Sequence, residues 1–85
     1  MKILVKETEG EGLEPLLGQR VTLFCAIYIY TGTLVGVNEH QVKLEDAAIV
    51  YETGAFDAAA WKDAQSLPHP LYVRLSAVES YTVIR

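Results

Sequence analysis

The stretch from Val21 to Tyr30, Val-Thr-Leu-Phe-Cys-Ala-Ile-Tyr-Ile-Tyr, constrains the fold more than any other part of the chain. It consists of β-branched, aliphatic and aromatic residues, and both sets of alternating positions are apolar. Such a run is typical of a β-strand that is covered on both faces. With 85 residues, the chain has room for one core and no second domain. The sequence therefore predicts a single, mostly β domain over residues 1–85, in which Arg20 to Tyr30 form a strand.

Four further segments have the alternation or the composition of strands. They are Thr33–Val35, Gln41–Glu45 with a continuation at Ile49–Tyr51, Leu71–Leu75, and Val78–Ile84. Gly32 and Gly36 flank the first of these and predict that it bends sharply. Two tight hairpins are expected between Arg20 and Tyr51. Roughly five strands with short links predict a small barrel or a strongly bent five-stranded antiparallel sheet.

Two segments favour helix instead. Leu13–Leu17 contains a proline early and is followed by Gly18, which suits a short N-terminal helix of one turn. In residues 57–65, Asp57 is a candidate N-cap and apolar residues recur at nearly helical spacing, which predicts a helical insert. A longer hairpin arm is the alternative for this insert. The acidic, glycine-rich stretch Glu7–Gly12 is expected to be a mobile loop.

The composition predicts a protein that associates with copies of itself. Hydrophobic residues make up 51% of the chain and charged residues only 21%. A small domain with so much apolar sequence must expose some of it or cover it with a partner. Cys25 is the only cysteine, so no internal disulfide can stabilise the fold. We therefore expect a homo-oligomer of about five to seven subunits.

No segment predicts a membrane or secretory location. No apolar stretch approaches the ~20 residues that span a bilayer. The opening Met-Lys-Ile-Leu-Val is too short for a secretory apolar region, because Lys6 to Glu9 are charged or polar. A cytoplasmic location is expected. The net charge of −4 argues against broad, non-specific nucleic-acid binding, which needs a basic face.

The chain carries no motif for catalysis or for a metal. It has no glycine-rich phosphate loop and no nucleophile elbow. The two histidines, His40 and His69, lie far apart in sequence with no cysteine beside them, so no zinc ligand set is formed. We expect a binding protein that is not an enzyme and has no cofactor.

Several segments resemble the Sm-like (LSm) family, including its bacterial branch, Hfq. Leu17–Leu23 resembles the family's approach to its first strand. Tyr30–His40 is similar to its aromatic-x-Gly-x-Leu segment, which runs into an Asp-x-aromatic turn. Leu44–Ala47 matches the Leu-x-Asp-Ala ending of Sm-type members, and Tyr72–Arg74 resembles the start of the second Sm motif. The resemblance covers Leu13 to Ala47 and Leu71 to Ile84.

The chain departs from the family pattern at several positions. Asn38 stands where the turn has Asp, and Leu75 stands where Sm-type members have Gly after the Arg. The segment from Asn38 to Leu44 is one residue shorter than in Sm-type members and closer to the Hfq length. The glycine that is usual between the first two strands is missing.

The resemblance implies a ring of subunits that binds single-stranded RNA, uridine-rich or adenine-rich, at its central pore. By position, it assigns RNA binding to Asn38, His40, Gln41 and Arg74. An imidazole can stack on a base, an amide can hydrogen-bond to its edge, and an arginine can stack or contact phosphate.

Alternatives to this interpretation stay open. Asn38–His40 can be a plain hairpin turn, and Arg74 can pair with Glu79. The tyrosines are expected to serve in packing or subunit contacts, and Trp61 to cover the core or a neighbouring subunit. The main alternative function is an oligomeric structural or protein-interaction module without RNA binding. A third is an SH3-like monomer that binds peptides.

Overall fold

The computed structural model describes residues 12–84, which form six antiparallel strands and two short 3-10 turns. The strands are β1 (Arg20–Cys25), β2 (Ile29–Val37), β3 (Gln41–Glu52), β4 (Asp63–Ser66), β5 (Leu71–Arg74) and β6 (Val78–Thr82). The 3-10 turns are Glu14–Leu16 and Leu75–Ala77. The sheet is open, with strand order β4-β3-β2-β1-β6, and β5 pairs separately with β3. The predicted mostly β fold is confirmed. No helix within residues 12–84 is long and apolar enough to cross a membrane.

Two hairpins lie between Arg20 and Tyr51, as expected, but the first lies inside the long apolar run, which is therefore not one strand. β1 ends at Cys25, whose N–H donates to the carbonyl of Tyr28 at 3.1 Å, and Ile29 begins β2 opposite Phe24. Ile27 therefore lies at the tip of a turn and is 84% exposed. The prediction of a single strand from Arg20 to Tyr30 was wrong because strand propensity does not mark a reversal that lacks Gly or Pro.

The core is one apolar cluster of residues from neighbouring strands. Its buried members come from four of the six strands: Val21, Leu23, Leu34, Val42, Leu44, Ala47 and Val73. Two threonines are buried with them, and the hydroxyl of each donates to a backbone carbonyl. The Thr22 hydroxyl donates to the carbonyl of Ile84 at 2.7 Å and lies 3.2 Å from the Thr31 hydroxyl, which donates to the carbonyl of Val21 at 3.1 Å. These bonds attach the C-terminal residues to the β1–β2 hairpin.

β3 is the organising strand, because three others pair with it. One edge pairs with β2, and the other pairs first with β5 and then with β4. The two halves of that second edge are separated by a bulge at Asp46, where φ is +49°. Gly32 of β2 packs against the bulge so closely that an added Cβ would lie 2.9 Å from the Cβ of Leu44. A side chain at this position would displace β3.

The insert of residues 57–65 is a hairpin arm, and the predicted helix there is wrong. Residues 56–60 form turns and bends, and Asp63–Ser66 become β4. The ladder from Ala48↔Ser66 to Glu52↔Asp63 pairs the outer edge of β3 with this segment. A helix here would leave that edge of β3 unpaired. The Phe56 ring also packs edge-on against Phe24 and Trp61, at centroid distances of 6.2 and 6.3 Å. Residues 12–84 thus contain six strands, where five were expected.

The segment Leu13–Leu17, which was expected to be a short N-terminal helix, contains a 3-10 turn. Glu14–Leu16 make a single turn, followed by Gly18 at a φ of +90°. The N–H of Gly18 donates to the carbonyl of Leu34 at 2.7 Å, which directs the chain into β1. A three-residue turn therefore replaces the predicted N-terminal helix. The predicted loop at Glu7–Gly12 lies outside the described residues except for Gly12.

Candidate functional site

The turn between β2 and β3 is built around the Asn38 side chain. Its Oδ1 accepts hydrogen bonds from the N–H groups of His40 at 2.7 Å and Gln41 at 2.9 Å. The N–H of Asn38 donates to the carbonyl of Gln41 at 3.0 Å and closes the hairpin. Asn38 is therefore a structural residue of this turn, as its chemistry predicts for an Asx turn. Its amide NH₂ group is the part of the side chain that these bonds leave for a ligand.

A second contact brings the chain after β5 against the same turn. The N–H of Leu75, the first residue of the second 3-10 turn, donates to the carbonyl of His40 at 2.8 Å. In the β3–β5 ladder, Gln41 lies directly opposite Arg74. Arg74 therefore lies beside the hairpin turn, although the whole β3–β4 arm separates it from the turn in sequence.

These two contacts create an open cleft of about 540 Å³. All four residues assigned from the sequence line it, together with three that were not: Asn38, Glu39, His40, Gln41, Arg74, Leu75 and Ser76. His40 and Arg74 are exposed, whereas Gln41 is half-buried. Ser76 adds a hydroxyl to the cleft. The sequence offered no signal for it, because the turn Leu75–Ala77 has no motif of its own.

The cleft presents both signs of charge and several hydrogen-bonding groups. Arg74 supplies a guanidinium, His40 an imidazole and Glu39 a carboxylate. Within residues 12–84, Arg74 makes no ion pair with Glu79, whereas Lys62 pairs with Glu52 at 3.6 Å. The Arg74 guanidinium is thus available to a ligand. This arrangement can stack an aromatic ring, hydrogen-bond to its edge and neutralise an anionic group.

A second, smaller hollow of about 250 Å³ adjoins the cleft. It shares Asn38 and Gln41 with the cleft and adds Lys43 and Tyr72 from the next outward-facing cross-strand pair. Lys43 and Tyr72 were not among the site residues expected from the sequence. The alternation of Gln41–Glu45 and of Leu71–Leu75 is the signal that would have revealed them, because it places Lys43 and Tyr72 on the outward face.

Two side chains of β1 and β2, Cys25 and Tyr30, have raised pKa values. Burial raises the pKa of the Cys25 thiol, and the carboxylate of Glu79 raises it further. Burial likewise raises the pKa of Tyr30, with smaller contributions from Cys25, Tyr28 and Tyr51. Both groups are kept in their neutral forms near pH 7.

The described part of the chain offers no metal ligand cluster. No group of three or more His, Cys, Asp or Glu side chains in residues 12–84 could hold a metal ion. His69 lies away from His40, in a separate hollow of about 210 Å³ with Glu45 and Asp46.

Comparison with protein-family models, curated proteins and solved structures found no match. The case for a function therefore depends on the geometry of this chain.

Proposed function

We propose that this protein is a ring-forming, Sm-like domain that binds single-stranded RNA, uridine-rich or adenine-rich, at a pore lined by the cleft. One observation carries the proposal. The resemblance assigns RNA binding to Asn38, His40, Gln41 and Arg74, and these residues come from two distant segments that meet in one cleft. Four surface residues with unrelated roles would not be expected to line the same cleft.

The groups in the cleft suit a base and its phosphate. His40 and Arg74 both have exposed side chains, and each can stack on a base. The Asn38 NH₂ group and the Gln41 amide can hydrogen-bond to a base edge. Arg74 is also the cation that can contact phosphate. None of these groups is a nucleophile activated by a base, so the proposed activity is binding without catalysis.

The open sheet supports assembly into a ring. β6 ends the sheet on one side, and β4 and β5 lie at the other. Exposed strand edges carry unpaired N–H and C=O groups that another chain can pair with. Pairing β6 of one copy with the β4–β5 edge of the next is a heterologous contact, which closes into a ring when the rotation allows. A ring repeats the cleft, so contacts that are weak singly would add up along one RNA strand.

The second candidate is an oligomeric scaffold that binds protein and no RNA. Two observations favour it. The chain has a net charge of −4. Large apolar side chains are also exposed at the end of the sheet away from the cleft, including Ile27, Tyr28 and Phe56. Such a surface is typical of protein contacts.

Two measurements on the purified protein decide between these functions. Light scattering behind a sizing column is expected to give a mass of about five to seven subunits. Fluorescence anisotropy with labelled oligouridylate and oligoadenylate is expected to show binding that weakens as salt rises. An oligomer with no affinity for either RNA at low salt would establish the scaffold. A monomer at micromolar concentration would contradict both and leave the SH3-like peptide binder.

A further inference from the structure

The outward face of the β3–β5 ladder carries a continuous polar stripe. Gln41 is paired with Arg74, and two residues further along the strand Lys43 is paired with Tyr72. The intervening pair, Val42 and Val73, points into the core and is buried. Because side chains alternate along a strand, the four polar residues lie together on the opposite face. The stripe therefore continues from the proposed RNA cleft.

The second pair on this stripe is a cation beside an aromatic ring. The Nζ of Lys43 lies 5.6 Å from the centre of the Tyr72 ring. Tyr72 is nevertheless 55% exposed, so much of its side chain remains open to solvent. The hollow in front of the pair shares two lining residues, Asn38 and Gln41, with the main cleft. A ligand bound in the cleft can therefore extend into the hollow and stay in contact with the protein.

The distribution of charge points to an anionic ligand here. The lysines and arginines of residues 12–84 are Arg20, Lys43, Lys62 and Arg74. Arg20 donates to the carbonyl of Asp46 at 2.7 Å, and Lys62 pairs with Glu52. Lys43 and Arg74 are the two that lie on the stripe. With the Glu39 carboxylate of the adjoining cleft counted, the stripe and cleft carry two cationic side chains and one anionic one, in a protein with a net charge of −4.

We propose that Lys43 and Tyr72 form a second nucleotide subsite, which extends the cleft along a single-stranded nucleic acid. A base would lie on the exposed part of the Tyr72 ring, and Lys43 would contact the adjoining phosphate. Two residues along a strand span about 6.6 Å, a spacing that neighbouring nucleotides of an extended single strand can match. This inference rests on the proposed function, because it assigns a longer track to the same ligand.

The test compares a short and a longer probe with two variants and two matched controls. The probes are a uridine mononucleotide and a uridine octanucleotide, each also made with adenine. Lys43→Gln and Tyr72→Ala alter the subsite. Lys62→Gln and Tyr51→Ala alter an exposed lysine and an exposed tyrosine at the far end of the β3–β4 arm.

Tyr72→Ala is expected to weaken octanucleotide binding on the order of tenfold, because one base no longer has a ring to stack on. Tyr72→Phe should retain the affinity, since a phenyl ring also stacks. Lys43→Gln should lower the slope of log affinity against log salt by about 0.7 for each phosphate that the lysine had neutralised. Mononucleotide binding, which the main cleft can satisfy alone, should be unchanged. Both control variants should bind as the wild type does.

Three outcomes would overturn the subsite, and they are distinguishable. If the wild type binds neither probe, the proposed function fails and the subsite with it. If the wild type binds but both subsite variants equal it, only the subsite fails. If polyglutamate displaces the octanucleotide as well as RNA does, the stripe is a general anion patch without base recognition. Should Tyr72→Ala not fold, the salt slope of Lys43→Gln decides alone.

Discussion

The carbonyl of His40 accepts a 2.8 Å hydrogen bond from the N–H of Leu75. This bond joins the turn between β2 and β3 to the turn that follows β5. It places Arg74 beside His40 and forms the cleft, because Leu75 follows Arg74 directly. The bond is between backbone groups, so substitutions of the His40 or Arg74 side chains should leave it in place. Ligand binding and folding can therefore be tested separately at this site.

Under the proposed function, His40→Ala and Arg74→Ala are each expected to weaken RNA binding without changing the mass of the protein in solution. Base stacking contributes about 1–3 kcal/mol per base, so each substitution should lower affinity by roughly tenfold or more. Arg74→Ala should also reduce the salt dependence of binding, because alanine cannot neutralise a phosphate. His69→Ala is the matched control, since His69 lies in a separate hollow. Anisotropy titrations at two salt concentrations measure both effects, and full affinity in both variants would refute the cleft.

Asn38→Ala should destabilise the turn, whereas Asn38→Asp should not. The alanine variant removes the oxygen that accepts from His40 and Gln41 and should lower the free energy of unfolding by about 1 kcal/mol. Aspartate retains an acceptor oxygen but replaces the NH₂ donor. RNA binding by the aspartate variant should therefore fall while its stability holds. Denaturant unfolding and anisotropy give the two readouts, and equal stability of all three proteins would contradict the structural role of Asn38.

Gly32→Ala should be strongly destabilising. An added Cβ would lie 2.9 Å from the Cβ of Leu44 and 3.1 Å from the carbonyl oxygen of Glu45, both on β3. Overpacking of this kind costs about 1–3 kcal/mol. Gly36→Ala is the control, because its Cβ would meet the Cβ of Lys43 at the milder distance of 3.3 Å. Thermal unfolding should rank Gly32→Ala below Gly36→Ala, and the reverse order would contradict the close approach of β2 to the bulge.

Thr22→Val tests the buried polar pair. Valine has nearly the same shape but cannot donate to the carbonyl of Ile84, which should cost about 1–3 kcal/mol of stability. Thr33→Val, a half-buried position of β2 outside this network, is the comparison. Hydrogen exchange of β6 should accelerate in Thr22→Val and remain unchanged in Thr33→Val. Equal protection in both variants would show that the bond to Ile84 does not hold the C-terminal residues.

The Cys25 thiol should react slowly at neutral pH and contribute to a pH dependence of stability. Burial and Glu79 raise its pKa in the folded state, so folding favours the neutral thiol. That stability is fully present below the unfolded-state pKa and is lost as pH rises through the folded-state pKa. Cys25→Ala should therefore lack this alkaline component of the stability curve. The pH midpoint of iodoacetamide alkylation should exceed that of a cysteine peptide, and Glu79→Gln should move it downward.

Much of the local structure follows from residue order alone. Gln41–Glu45 and Leu71–Leu75 alternate between apolar and polar residues, and a strand with one buried face is the conformation that this period requires. The polar break at Asn38–His40 likewise requires a turn, since Asn can accept from the next backbone N–H groups. The β2–β3 hairpin and the two strands of the site could be predicted because their causes lie within a few residues.

Other segments were decided by partners distant in the chain. Residues 57–65 have helical spacing and Asp57 as a candidate N-cap, yet Asp63–Ser66 pair with β3. That pairing satisfies the backbone groups at the edge of β3 as well as those of the segment itself. Cys25 and Tyr28 form a turn inside an apolar run, since β1 and β2 must reverse to pair. Local propensity is a weak preference that tertiary pairing overrides.

The candidate site likewise depends partly on the residues themselves and partly on the tertiary structure. The sequence, through residue chemistry and a resemblance, determined that His40 and Arg74 were candidates for one ligand. Only the tertiary structure decided that Gln41 faces Arg74 and Lys43 faces Tyr72, because register is a relation between strands. The backbone bond from Leu75 to His40 likewise depends on where β5 docks. Pairings across a sheet arise from the summed burial of residues on both strands, and that sum exists only once the chain has folded.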